Sequence, residues 1–312
     1  MLNYISRNFQ RLYFKNWIIG VGFCDITSII INKNFDPQIK WLFNKTHGKF
    51  QADPFPISTN SGKIKILFEE FSRELNYGNI SILSLDENFN QTSKKKLLDT
   101  NSHLSYPFAI TEGDRTFVFP ESKKSGKLSC YEYDHEHESL HFVKDIIDLP
   151  LLDSTILKYK DKFWIFGTLA NDKTGYELNV FHSAYILGPY IEHVQNPIKT
   201  GLNATRSAGH FIIVDGNIYR PAQNCEIEYG ESITINKIIE LNESNVIEEP
   251  YMDIRINKNN RHNRGIHTIH TINAVGNIII VDGILRTFSP FQKFRKFTND
   301  LRKRWEKSKN II

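Results

Sequence analysis

The sequence predicts an all-β fold: a five-bladed β-propeller over 1–287, followed by a short basic amphipathic helix over 288–312. Three observations predict it. Short β-branched and aromatic runs ("KIKILFEE", "RTFVFPES", "KFWIFGTL", "GNIYRPAQ", "NIIIVDGI") alternate with turns of Gly, Asn, Asp and Lys. Helical periodicity is absent until the C-terminus. A hairpin unit recurs five times at intervals of about 50 residues, the length of a four-stranded blade.

The units can be taken in order. The first opens at "ADPFPI" (52–57), turns at "TNSGK" and runs 16 residues from Asp53 to Glu69. The second opens at "SYPFAI" (105–110), turns at "TEGDR" and runs 15 from Tyr106 to Glu121. The third opens at "DSTILK" (153–158), turns at "KYKDK" and runs 14 from Asp153 to Gly167. The fourth, "RSAGHFII" (206–213) with the turn "VDGN", runs 14 from Arg206 to Arg220. The fifth, "GIHTIHTI" (265–272) with the turn "AVGN", runs 15 from His267 to Asp282. In a propeller the opening strand of each blade lines the axis. Asp53, Tyr106, Asp153, Arg206 and His267 or His270 are therefore expected to meet in one funnel. "WIIGVGF" (17–23) has no hairpin partner nearby and is expected to complete the last blade beside 277–286. An ordinary β-sandwich with similar hairpins is the alternative, but it does not require chemical residues at matching ends of five hairpins.

Composition bounds the rest. A chain of 312 residues, 40% hydrophobic, can build its core without a disulfide or metal. Three well-separated cysteines (Cys24, Cys130, Cys225) read as reduced thiols of a cytoplasmic protein. No apolar run approaches the roughly 20 residues of a membrane span, and Arg7, Arg11 and Lys15 interrupt the N-terminus where a signal peptide would be apolar. The charge is concentrated at the end: 291–309 carries a net +6 in a chain of net +4. There Phe291, Phe294, Leu301 and Trp305 fall on one helical face. Such a helix can lie on an anionic membrane at its inner face, or dock its aromatic stripe on the propeller.

The funnel chemistry is mixed. The acids are Asp53, Glu69, Glu70, Glu121, Asp153, Glu226 and Glu228. The cations are Arg206 and Arg220, with His103, His210, His267 and His270 beside them. Gln223, Tyr106 and Tyr229 complete the set. Carboxylates and amides hold sugar hydroxyls, aromatics stack on ring faces, and anomeric chemistry needs carboxylates or phosphate-stabilising donors. Each residue also has a plain structural role open to it. Asp53 can cap a turn before Pro54, one of Glu69 and Glu70 points outward, Arg206 and Arg220 can pair with blade acids, and the two histidines of "HTIHT" can share one strand face. "YDHEHESLH" (133–141) reads as a solvated turn. No His-Glu-x-x-His, dinucleotide, P-loop or nucleophile-elbow motif is present, so no metal, cofactor or nucleic acid is expected.

The ordered series "ADPF", "FEE", "HLSYPF", "PES", "DST", "NPI…R…AGH", "YRPAQNCEIEYG" and "HT…VDG" resembles the propeller at the N-terminus of plant glucosamine inositolphosphorylceramide transferases. It also resembles stand-alone bacterial proteins associated with surface-polysaccharide synthesis. The resemblance covers roughly 40–285. That domain is in turn similar in fold to the clan of arabinanases, β-xylosidases and invertases. The resemblance implies that Asp53 is the base or nucleophile and that Asp153 tunes the general acid. The clan's acid is a Glu on a middle blade. Here Arg206 stands at the fourth opening strand, which leaves Glu121 or Glu226 as substitutes.

Arg206 and Arg220 suit a phosphate, as in a nucleotide sugar or phosphoribosyl pyrophosphate. The implied activity is glycosyl transfer from such a donor to a glycan or lipid-linked acceptor in surface polysaccharide or glycolipid synthesis. Asp53, Asp153 and Glu121 would be catalytic. Glu70, His103, Tyr106, Arg206, Arg220, Gln223, Tyr229, His267 and His270 would bind substrate. A glycoside hydrolase or phosphorylase of the clan, and a non-catalytic glycan-binding propeller, are the alternatives.

Overall fold

The computed structural model describes residues 13–43, 48–57, 64–256, 265–272 and 277–288. The turn "TNSGK", most of "AVGN" and the basic tail from 289 onward lie outside the described residues. Five antiparallel sheets form the five blades of a β-propeller. Blade I is Lys49–Ile57, Ile64–Ser72, Tyr77–Leu85 and Gln91–Leu98. Blade II is Ser105–Glu112, Arg115–Glu121, Leu128–Asp134 and Ser139–Ile147. Blade III is Leu152–Tyr159, Lys162–Asn171 and Gly175–Ser183, edged by the short pieces Ile191–Glu192 and Lys199–Thr200. Blade IV begins as Asn203–Ser207 and Ile212–Val214, both on Asn217–Asn224, and continues through Ser232–Leu241 and Val246–Ile254. Blade V is Ile269–Ile272, Ile278–Phe288, then Tyr13–Phe23 and Lys40–Leu42 from the other end of the chain.

Tyr13–Phe23 pairs with Ile278–Phe288 from Tyr13↔Phe288 to Phe23↔Ile278. The sheet of blade V is thus built from both ends of the described chain. A helix, Ile26–Asn32, bridges its two outer strands and buries Ile26, Ile29 and Ile30. Seven residues are too few to leave a helical period in the sequence. Asp25 caps it by accepting the Thr27 N–H at 3.0 Å.

The core lies between the blades. Ile64, Ile66 and Phe68 of blade I face Ile19, Val21, Ile278 and Ile280 of blade V. Phe55 and Leu67 of blade I, Phe108 and Phe119 of blade II, and Ile156 and Ile165 of blade III form one continuous cluster. Leu157, Trp164 and Phe166 meet Ile218 and Ile238 across blades III and IV, and Ile233 and Ile235 meet Ile269 and Ile279 across IV and V. Middle strands are buried on both faces, which explains their near-continuous apolar runs. The outer strand of blade I, "QTSKKKLL", is exposed and charged, as a sheet edge must be.

The inner strands share one irregularity. In blades I to III the register skips at the same place: Ala52↔Glu69 then Phe55↔Leu67, Ser105↔Glu121 then Phe108↔Phe119, Leu152↔Thr168 then Thr155↔Phe166. Two residues of the inner strand bulge opposite one. The first bulged residue is left-handed each time, with φ of 49° at Asp53, 42° at Tyr106 and 45° at Asp153. In blade IV the skip runs from Asn203↔Asn224 to Ser207↔Ala222, and the left-handed residue is Ala204 at φ 57°. By register, then, Ala204 and not Arg206 occupies the place of Asp53 and Asp153. The partner positions on the second strands are Glu69, Glu121, Thr168 and Asn224, not Gly167 and Arg220.

Candidate functional site

A left-handed backbone at a non-glycine residue costs roughly 1–2 kcal/mol, so something must hold it. Carboxylates from the preceding blade do. Asp282 Oδ2 accepts the N–H of Asp53 at 3.1 Å, Asp53 Oδ2 accepts the N–H of Tyr106 at 3.1 Å, and Glu121 Oε2 accepts the N–H of Asp153 at 3.1 Å. Three acids therefore latch blade V to I, I to II and II to III. Asp53 and Glu121 each use one oxygen in this way and keep the other for chemistry, whereas both oxygens of Asp282 accept backbone N–H groups.

Asp53, Glu69, Glu121, Asp153 and Arg206 line one cavity of about 490 Å3 at this end of the axis, with His103, Lys123, Tyr176 and Tyr229 around them. All four acids are buried. Burial pushes Asp53 up to about 7, against the pull of the nearby His267. Burial, with the Asp153 charge, pushes Glu121 up to about 8. Burial and the Asp53 charge hold Glu69 well above the usual carboxylate range, and its Oε1 has no hydrogen-bond partner.

The cations are already engaged. Arg206 Nε donates to Asp153 Oδ2 at 2.5 Å, and Gln223 Nε2 donates to the same oxygen at 3.1 Å. The guanidinium lies over the rings of Tyr176 and Tyr229, at 5.1 and 5.2 Å. Burial opposes its charge, but Asp153 and the other anionic neighbours hold its pKa well above the ordinary value. His267 sits between two acids, with Nδ1 2.5 Å from Asp282 Oδ2 and Nε2 3.5 Å from Asp53 Oδ1. Burial disfavours its charge, yet the Asp282 and Asp53 carboxylates outweigh it and the pKa is raised. Trp17 stacks flat on the imidazole at 3.7 Å. Asp53, His267 and Asp282 are the one group of three among the described residues whose ligand atoms lie within 4.8 Å of one another. Asp282 already accepts three backbone N–H groups, from Asp53, His267 and Thr268, so a metal would have to displace them.

Several sequence-derived positions fall elsewhere. Glu70 points away from the cavity into Lys49 and Lys94, at 2.8 and 2.5 Å; its neighbour Glu69 takes the inward face. Tyr106 contributes only its N–H here, because its phenol is buried below the cavity between Thr155 Oγ1 and the Gly209 N–H, each at 2.8 Å. Arg220 is fully buried and forms a bidentate pair with Glu248, both bonds at 2.7 Å, within blade IV. It cannot grip a ligand in the funnel. His270 also lies deeper, paired with His210 at 2.9 Å, and burial lowers its pKa well below the ordinary value. Glu228 is taken by Lys15, and Glu226 is not among the lining residues.

His103 does line the cavity, 3.7 Å from Glu69, with Nδ1 accepting the Gly78 N–H. The sequence reading missed Trp17, Tyr176 and Lys123, and it placed Asp282 at the end of its unit without giving it a role. The 15-residue spacing from His267 was the available signal for Asp282.

Fold and site together define a five-bladed β-propeller with a carboxylate-rich pocket at one mouth of its axis. The chain belongs to the family of glucosamine inositolphosphorylceramide transferase 1, N-terminal, whose family model matches residues 43–276. It is 30% identical over 214 residues to glucosamine inositolphosphorylceramide transferase 1 of Oryza sativa subsp. japonica, covering 67% of this chain and 28% of that protein. The Arabidopsis thaliana protein of the same name is 30% identical over 216 residues, with 66% and 27% covered. The chain thus spans under a third of the length of these relatives. Among solved structures, a family 117 glycoside hydrolase of Zobellia galactanivorans is similar, with a TM-score of 0.55 at 14% identity over 90% of this chain and 92% of that one. The GH43 protein BlXynB of Bacillus licheniformis follows at a TM-score of 0.50 and 11% identity, over 70% and 49%. At these identities the likeness is one of fold.

Proposed function

We propose that the axial cavity is the active site of a glycosyltransferase-like enzyme. It moves a sugar from a phosphate-activated donor to a hydroxyl of a glycan or lipid-linked acceptor, in surface polysaccharide or glycolipid synthesis. One observation carries the reading: neighbouring blades present two carboxyls to one cavity, at about 7 and about 8, beside a charged arginine. One group titrating near neutral pH and a second just above it suit acid–base chemistry. Asp53 accepts the proton of the acceptor hydroxyl, with the His267–Asp282 pair behind it. The acceptor oxygen bonds to the anomeric carbon as the bond to the donor phosphate breaks. The phosphate leaves with the electron pair, met by Arg206, Lys123 and the proton of Glu121. Asp153 and Gln223 hold Arg206 in place, and the Tyr229 ring offers a stacking face. The transferase name of the family members supports transfer.

Hydrolysis is the second reading, and one observation favours it. The lining carries more acids than cations, and Arg220, the second expected phosphate ligand, is spent on Glu248. Incubation with activated sugars plus an oligosaccharide or lipid-linked acceptor, and separately with glycosides, separates the two. Donor-dependent elongation supports transfer. Glycoside cleavage without elongation refutes it, and binding without either reaction leaves a glycan-binding propeller.

A further inference from the structure

A second cavity, of about 340 Å3, lies beside the axial one. Two short segments separate them. Ser102, Leu104, Pro120, Ser122 and Lys124 line the second cavity, while His103, Ser105, Glu121 and Lys123 line the first. The lining residues alternate along 102–105 and 120–123, and the alternation ends in the 3-10 turn Lys123–Ser125, where Lys124 and Ser125 both face the second cavity. The two cavities therefore share a wall one layer of backbone thick.

Their chemistry differs. The axial cavity is rich in carboxylates, whereas the second has none in its lining. Six of its nine lining residues carry hydroxyls, Thr100, Ser102, Ser122 and Tyr131 among them, and Lys124 is its one charge. Lys124 has no acidic partner among the described residues. Asp145, which accepts the hydroxyl of the lining residue Ser129 at 2.8 Å, is paired with Lys127 at 2.9 Å. The Ser125 and Ser129 hydroxyls already donate within the protein, but the exposed Lys124 ammonium beside the hydroxyls of Thr100, Ser102, Ser122 and Tyr131, with no carboxylate in the lining to repel an anion, suits a phosphate ester on a hydroxylated ligand.

We propose that this cavity binds a phosphate-bearing sugar unit, adjacent along the acceptor to the unit that reacts in the axial cavity. Its role as an acceptor subsite rests on the transfer reading; its preference for a sugar phosphate does not. The test is titration of the full chain with glucose 1-phosphate, glucose and inorganic phosphate, followed through backbone amide shifts. Glucose 1-phosphate is expected to bind more tightly than the other two and to move the amides of Ser102, Ser122 and Lys124. Lys124→Gln should weaken that binding about tenfold, the worth of one charge-assisted hydrogen bond, and leave glucose unaffected. Arg206→Met, which disarms the axial cavity, should leave the Lys124 shifts in place. Equal affinity for glucose, or unchanged binding in Lys124→Gln, overturns the subsite. Sugar-phosphate binding at Lys124 in a chain that transfers nothing sinks the transfer reading and keeps the subsite.

Discussion

Asp53 uses its two oxygens differently. Oδ2 holds the Tyr106 N–H, and Oδ1 faces His267 and the cavity. Asp53→Asn keeps the shape and removes the base, so transfer should fall at least about 100-fold while sugar binding and folding persist. With Asp53 as base and Glu121 as acid, the rate should rise as pH passes about 7 and fall above about 8. A rate flat across that window would exclude the pair. Glu121 also links pH to stability. Its folded pKa of about 8 lies above the ordinary 4.5, so its contribution is complete below 4.5 and is lost as pH rises through about 8. Glu121→Gln should therefore raise the melting temperature at pH 9 relative to wild type, with a smaller difference at pH 5. Asp282→Asn removes the acid that supports the charge on His267, so the His267 titration, read by NMR, should move to lower pH. Asp53, Asp153 and Glu121 were legible because they open or close repeating hairpins. The places of Glu70, Tyr106 and Arg220 were not legible: Glu70 and Glu69 are neighbours on opposite strand faces, the Tyr106 phenol turns into the core from the same bulge position as Asp53, and the bulge of blade IV makes Asn224 rather than Arg220 the partner position.

At the scale of the element, the bulged inner strands position the chemistry and the second strands brace it. Arg220 is the clearest brace: its pair with Glu248 ties the second strand of blade IV to the fourth, and Lys199 adds a contact at 2.5 Å. Arg220→Met leaves Glu248 buried with only Lys199. It should cost about 3 kcal/mol in denaturant unfolding without changing the Michaelis constant for the donor. A raised Michaelis constant with unchanged stability would restore Arg220 to the site. Gly209 is a second constraint. Its φ is 129°, and an added Cβ would lie 2.1 Å from the Ile269 carbonyl oxygen. Gly209→Ala should therefore destabilise the contact between blades IV and V and disturb the Tyr106 phenol, which accepts the Gly209 N–H. The opening strands and their hairpins were readable from alternation and turn residues. The helix Ile26–Asn32 and the short edge pieces of blade III were not, because seven residues make only about two helical turns and a two-residue strand shows no alternation.

For the whole molecule, the repeat made the propeller legible, since five units of one length leave few other architectures. The structure adds that blade V is assembled from both ends of the described chain and that Asp282, on its second strand, holds the Asp53 backbone of blade I. Ring closure and the catalytic base are therefore joined through one side chain. Removing residues 1–23 should abolish cooperative unfolding and the axial site together. We further propose that 288–312 holds the protein at an anionic membrane surface; its deletion should reduce binding to anionic liposomes, with the remainder insensitive to salt. Unchanged binding would refute that role. The central claim is that the axial cavity transfers a sugar with Asp53 as base. It is tested most directly by following a labelled sugar from nucleotide-sugar donors onto an oligosaccharide or lipid-linked acceptor, with wild type and Asp53→Asn side by side. Donor-dependent elongation in wild type, lost in Asp53→Asn while ligand still binds, is the expected result. Elongation undiminished in Asp53→Asn, or glycoside cleavage with no elongation in wild type, would contradict it.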